Sequence, residues 1–323
     1  MNSIRICATS IALATLAIAA PASAQTWPDK PVRLIVAFAP GGLIDTFART
    51  LQPRLAEGLG QPLIIENRGG AGGTLAESMV AKSAPDGYTV LVSADSPPAN
   101  PHLFRNLNYD FFRDLVPVSM IARVPFALVV HPSVPANSLA EFVAYVRSRQ
   151  GQFSYASPGT GTGNHLFMEL LKGMAGMEMT HIPYKGGGPA MNDLIGGQVQ
   201  ASLISITLAA PQVRSGKVRA VGMASEKRAP LLPQVQTFVE AGYRDFMPHT
   251  WCGLFVPAGT PAAIVQRLYA EFAKAVRAPE VQTRFQELGA ETIMNSPAEF
   301  AAFLRTESER LGNLIRERKI AAD

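Results

Sequence analysis

Two loops gather the residues that could do chemistry. In the first, the apolar run 33–39 passes through Pro40-Gly41-Gly42 into Leu43-Ile44-Asp45. In the second, the run 153–156 passes through Ser157-Pro-Gly-Thr-Gly-Thr-Gly-Asn164 into His165. A strand that runs through a glycine turn into a helix points free backbone N–H groups and the positive end of the helix dipole into the loop. That arrangement suits capture of an anion rather than bond making. The backbone amides of Gly41, Gly42, Leu43 and Ile44 would hold one end of such a molecule. Those of Gly159, Thr160, Gly161 and Gly163, with the side chains of Ser157, Thr162 and Asn164, would hold the other.

Several neighbouring groups have two readings each. Asp45 either caps the N–H groups of its helix or touches the ligand. His165 either reaches a carboxylate or is a half-exposed helix-start histidine. Lys185, ahead of three glycines, is either a surface charge or an anion contact. Ser205 and Thr207, where the strand pattern 199–205 ends, either line a cleft or face the core.

Rival chemistries lack their motifs. A dinucleotide fingerprint would need glycine at Asn164 or at Leu75, and no glycine is followed by Lys-Ser or Lys-Thr as a P-loop requires. G-x-S-x-G, H-E-x-x-H and paired C-x-x-C are also missing. No catalytic residue, cofactor or metal is therefore expected. A hydrolase or transferase built on His165 or Cys252 stays as the enzyme alternative, without a recognisable nucleophile–base pair.

The elements that must position the loops alternate short β-rich runs with helical patterns, which argues for an α/β chain with mostly parallel sheets. The pattern predicts a helix over 45–58, with Phe47, Leu51, Leu55 and Leu59 on one face, and a second over 165–174. It predicts separate strands at 118–122 and 127–131 and a terminal helix over 297–317. Each loop lies in its own βα unit, which fits two α/β domains with a cleft between them. The final helices would return to cover the first domain.

The chain of 323 residues carries 29 Lys+Arg against 25 Asp+Glu, a net charge of +4. The basic residues are scattered, without a basic run or a helix-turn-helix, so no nucleic-acid partner is expected. A mildly positive surface suits small anions. The basic Arg5, the apolar stretch 6–20 and Ala22-Ser23-Ala24 form an export signal, cleaved to leave Gln25 first. Cys7 lies too early to serve as a lipid-attachment cysteine. With residues 1–24 removed, Cys252 has no disulfide partner.

An ordered set of motifs then resembles one family. It includes Trp27-Pro-Asp-Lys-Pro31, Phe38-Ala39-Pro40-Gly41-Gly42 with Asp45, Glu66-Asn67-Arg68 and Gly70-Ala-Gly-Gly73. It continues through Pro85-Asp-Gly-Tyr-Thr89, Tyr155-Ala-Ser-Pro-Gly159, Pro183-Tyr-Lys-Gly186, Gly196-Gly-Gln-Val199 and Pro257-Ala-Gly-Thr-Pro261. From Gln25 onward the chain is similar to Bug-type solute receptors, extracytoplasmic binding proteins related to the tripartite tricarboxylate transporter receptor. The resemblance implies a periplasmic, two-domain Venus-flytrap fold, with residues 25–124 plus 246–323 as one domain and 125–245 as the other. It implies a monomer that binds a small carboxylate through the loops 38–45 and 157–165, without catalysis. Its partners would be membrane transporter subunits or a sensor kinase. Leu43 and Ile44 stand where many relatives carry small or polar residues, which makes the first loop more apolar and tells against a bare amino acid as ligand.

Overall fold

The computed structural model describes residues 27–244 and 246–321; the expected leader, 1–24, and the start at Gln25 lie outside the described residues. The chain opens with β1 (Val32–Val36), α1 (Leu43–Leu59), β2 (Leu63–Asn67), α2 (Thr74–Ala81) and β3 (Thr89–Ser93). β1 pairs in parallel with β2 on one side and β3 on the other. α1 forms because Phe47, Leu51, Leu55 and Leu59 recur every fourth residue and are all buried. Gly60 then adopts a left-handed turn at φ 68° and ends it.

Two short helices, α3 (Asn100–Leu103) and α4 (Phe111–Asp114), lead into β4 (Leu115–Val130). The second half of the molecule follows as α5 (Leu139–Arg147), β5 (Ser154–Ser157), α6 (Gly163–Ala175), β6 (Thr180–Pro183), α7 (Gly187–Ile195), β7 (Ala201–Ser205), α8 (Ile206–Arg214) and β8 (Arg219–Met223). β9 (His249–Pro257) crosses back, followed by α9 (Ala262–Arg277), α10 (Pro279–Glu287), β10 (Glu291–Thr292) and α11 (Pro297–Glu317).

The strand order β2-β1-β3-β9-β4-β7-β5-β6 runs unbroken across the molecule, with β8 and β10 also on β4. The outer runs β2-β1-β3 and β7-β5-β6 are parallel, as the βα alternation implied. Every pairing of β4 and β9 is antiparallel, so the sheet is mixed at its centre. The two strands expected at 118–122 and 127–131 are one strand of 16 residues. Pro125 cannot donate a ladder hydrogen bond. It is tolerated because β4 changes partners there: Pro125 is the last residue opposite β9, and Phe126 is the first opposite β7.

The C-terminal helices do return to the first half. Phe285 of α10 stacks on Phe47 of α1 with ring centroids 4.7 Å apart. α11 begins with a capping box between Ser296 and Glu299 and has the expected bounds. Its Phe300 and Leu304 join the larger hydrophobic core, while Leu311, Leu314 and Ile315 join the second. One helix thus packs into both cores.

Candidate functional site

Four helices begin at one cavity. Gly42 precedes α1, Thr162 precedes α6, Gly187 opens α7 and Ser205 precedes α8, and all four residues line one cavity. None of these helices has a side-chain hydrogen bond from its N-cap residue. Their first-turn N–H groups and dipoles therefore bear on the same space. The walls come largely from the carboxyl ends of strands, where open α/β sheets bind ligands. Phe38 lies just past β1, Ala94 and Asp95 past β3, Pro158 past β5, and Ile204 near the end of β7. The crossing strands supply Phe126 and Thr250, and Leu43, Ile44, Asn164 and Leu208 complete the lining.

Of the residues expected at the site, Phe38, Gly42, Leu43, Ile44, Thr162, Asn164 and Ser205 meet on this wall. Others shape it from behind. Both helices start two residues earlier than expected, so Asp45 and His165 are each third in their helix. Each bonds back to the loop: Gly41 N donates to Asp45 Oδ2 at 3.0 Å, and Gly161 N to His165 Nδ1 at 3.2 Å. Burial raises the Asp45 carboxyl, but bonds from Arg49, Gly41 and Asn67 outweigh it and hold it below the usual range. The His165 ring stacks on His181 with centroids 3.8 Å apart. Burial pushes His165 down to about 4, and burial with the facing His165 pushes His181 down to about 3. Both rings are neutral at pH 7, so His165 brings no cation to the cavity.

The second loop is tied from within more than its glycines suggested. The Ser157 hydroxyl accepts from Gly159 N and contacts His181 Nε2 at 2.7 Å. Thr162 Oγ1 donates to Gly159 O at 2.7 Å, and Asn164 Nδ2 donates to Leu203 O at 2.7 Å. The amides of Gly159, Gly161 and Gly163 thus already serve Ser157, His165 and Asp95. The Thr160 carbonyl packs against Gly72 of the opposite half. Ala39 N donates to Lys185 O at 2.9 Å, so Ala39 and Lys185 join the halves through backbone while the Lys185 side chain is exposed. Pro40 and Gly41 are exposed at the rim. Thr207 Oγ1 donates to Leu288 O at 2.6 Å and leaves the cavity to Ser205, whose Oγ is buried without a partner among the described residues.

Sequence reasoning missed Asp95. Its Oδ1 accepts from Gly163 N at 2.9 Å, across the two halves, and its buried Oδ2 has no hydrogen-bond donor among the described residues. Burial pushes this carboxyl up to about 6, against the pull of the Gly163 amide and of the nearby Thr250 hydroxyl, which does not reach hydrogen-bonding geometry with Oδ2. The available signal was its position just past a strand that faces the cleft. Cys252 is buried, and burial raises its thiol far above the ordinary value, which leaves a hydrolase without a thiolate. No helix among the described residues is long and apolar enough to cross a membrane.

The sequence matches the family described as tripartite tricarboxylate transporter family receptor over residues 47–320. It is 38% identical to Protein BugT of Bordetella pertussis over 320 residues, 98% of each chain. The structure of MatC from Rhodopseudomonas palustris with bound malate superposes with a TM-score of 0.85 at 36% identity, covering 90% of this chain and 100% of that one. An R. palustris protein with adipate gives 0.87 at 34% identity, covering 91% and 99%. The chain belongs to the tripartite tricarboxylate transporter receptors, a family of periplasmic solute-binding proteins.

Proposed function

We propose that the chain captures a small carboxylate in the periplasm and presents it to the membrane subunits of a tripartite tricarboxylate-type transporter. The observation that carries this reading is the convergence of four helix N-termini on one largely apolar cavity. Such ends are ready anion sites, and the relatives with malate and adipate hold ligands of the same chemistry. One carboxylate would lie against the first-turn amides of α1 at Gly42, Leu43 and Ile44, with Ser205 as a polar neighbour, while Thr162 and Asn164 would face the rest of the ligand. Leu43 and Ile44 would pack on the ligand's apolar part.

In this reading residues 25–124 with 246–323 form one domain and 125–245 the other. They close about the crossing strands β4 and β9. The Ala39–Lys185 bond and the contact of Gly72 with Thr160 belong to the closed form. The receptor works as a monomer, exported by a cleaved leader, and makes no bonds.

Thermal unfolding of the chain from Gln25, with a panel of mono- and dicarboxylates, tests the proposal. A ligand at a hundred times its Kd stabilises the folded state by about 2.7 kcal/mol, so at least one member should raise the midpoint. No shift with any member, and no carboxylate in native mass spectra of the purified protein, would overturn it.

A further inference from the structure

Building on that reading, we propose that Asp95 sets the class of carboxylate: it selects a monocarboxylate with a hydrogen-bond donor, above all an amine, at its far end, and turns dicarboxylates away. Among the described residues Asp95 is the one acidic residue on the cavity wall, and no basic side chain lines it. Its carboxylate sits at the start of α6, bonded through Oδ1 to Gly163 N. A Cβ on Gly163 would lie 2.5 Å from Oδ2, so both oxygens crowd that helix end. The chain therefore supplies its own anion to one of the four N-termini.

Two consequences follow for the ligand. Its own carboxylate belongs at the starts of α1, α7 and α8, which Gly42, Gly187 and Ser205 bring to the same cavity and none of which places an acidic side chain on its wall. A second carboxylate reaching α6 would meet Asp95 as a like charge in a buried space, where solvent screens little. A donor reaching the same place meets Oδ2, which is buried and lacks a partner among the described residues. Supplying a partner to a buried, unpaired acceptor removes its desolvation penalty, and an ammonium group does so with opposite charge.

Calorimetric titration with three matched pairs tests this: β-alanine against succinate, δ-aminovalerate against adipate, and p-aminobenzoate against terephthalate. Each pair exchanges one carboxylate for an amino group on the same body. The amino member of at least one pair should bind ~10-fold or more tightly than its dicarboxylate. Asp95→Asn keeps an Oδ1 acceptor for Gly163 N and should abolish or reverse that preference. Asp95→Ser is the second variant should the first fail to fold. Dicarboxylates that match or exceed their amino partners in all three pairs, a preference unchanged in the variants, or no binding by any amino compound would overturn the role of Asp95. Carboxylate capture itself stands if other carboxylates still stabilise the wild type, and falls only if none does.

Discussion

Gly72→Ala should cut carboxylate affinity about a hundredfold while both halves of the molecule remain folded. Gly72 has φ 61°, and a Cβ there would lie 2.2 Å from Thr160 O, a backbone atom of the opposite half. A carbonyl in a loop tied by Ser157, Thr162 and His165 cannot swing aside as a side-chain tip would. The next contacts of that Cβ, at 3.4 Å to Thr160 C and 3.6 Å to Asn100 Oδ1, are ordinary. The clash therefore exists only when the halves meet. If only the closed form holds ligand tightly, apparent affinity falls with the fraction able to close, and a closing penalty of ~3 kcal/mol gives ~100-fold. The left-handed backbone adds a separate strain of ~1–2 kcal/mol in alanine. Gly60→Ala isolates that term, because Gly60 has φ 68° and a Cβ there meets nothing within 4 Å. Both variants should lose similar thermal stability, and only Gly72→Ala should lose binding to the best carboxylate of the panel. Small-angle scattering with that ligand present should give a larger radius of gyration for Gly72→Ala than for wild type. Wild-type affinity in Gly72→Ala would sink the closure argument.

The two loops were legible because their signal is local. Apolar run, Pro-Gly turn and amphipathic helix are contiguous, and the carboxyl-end rule then places the cleft. Leu43 and Ile44 could be named as wall residues for the same reason. What Asp45 and His165 do was not legible. Their bonds back to Gly41 and Gly161 depend on those glycines adopting φ 78° and 81°, which no residue pattern announces. Ser205 and Thr207 differ by two helical positions, about 200° of rotation. Once α8 starts at Ile206, one hydroxyl meets the cavity and the other Leu288 O. Phe126 and Thr250 were invisible because they reach the cavity only through the antiparallel crossing of β4 and β9, a long-range pairing that βα alternation does not encode.

Glu77→Gln should become more stable relative to wild type as pH rises, by ~3 kcal/mol between pH 4 and pH 8. Glu77 in α2 is completely buried, and its carboxyl accepts from the Tyr109 hydroxyl and, through both oxygens, from Asn100 Nδ2 at 3.0 and 3.1 Å. Burial pushes it from the ordinary 4.5 up to about 7, with the bonds from Tyr109 and Asn100 opposing. The folded state thus holds a proton that the unfolded chain has already released. Stability from this group is complete below pH 4.5 and is lost as pH rises through 7. The shift spans about 2.5 pH units at ~1.4 kcal/mol each, which gives the ~3 kcal/mol. Asp95, raised by burial, slopes the same way, whereas His165 and His181, lowered by burial, gain stability as pH rises from 4 to 6.5. Those slopes are common to variant and wild type and cancel in the difference. Glutamine keeps an Oε1 acceptor for Tyr109 and does not titrate. Denaturant unfolding of both proteins at pH 4, 6 and 8 measures the difference, and a gap constant with pH would refute the buried-acid assignment. The site also depends on this network. A Cβ on Gly73 would lie 3.1 Å from Glu77 Oε1, and one on Gly161 would lie 3.2 Å from Asn100 Oδ1. Glu77 and Asn100 therefore back the surface where the two halves meet.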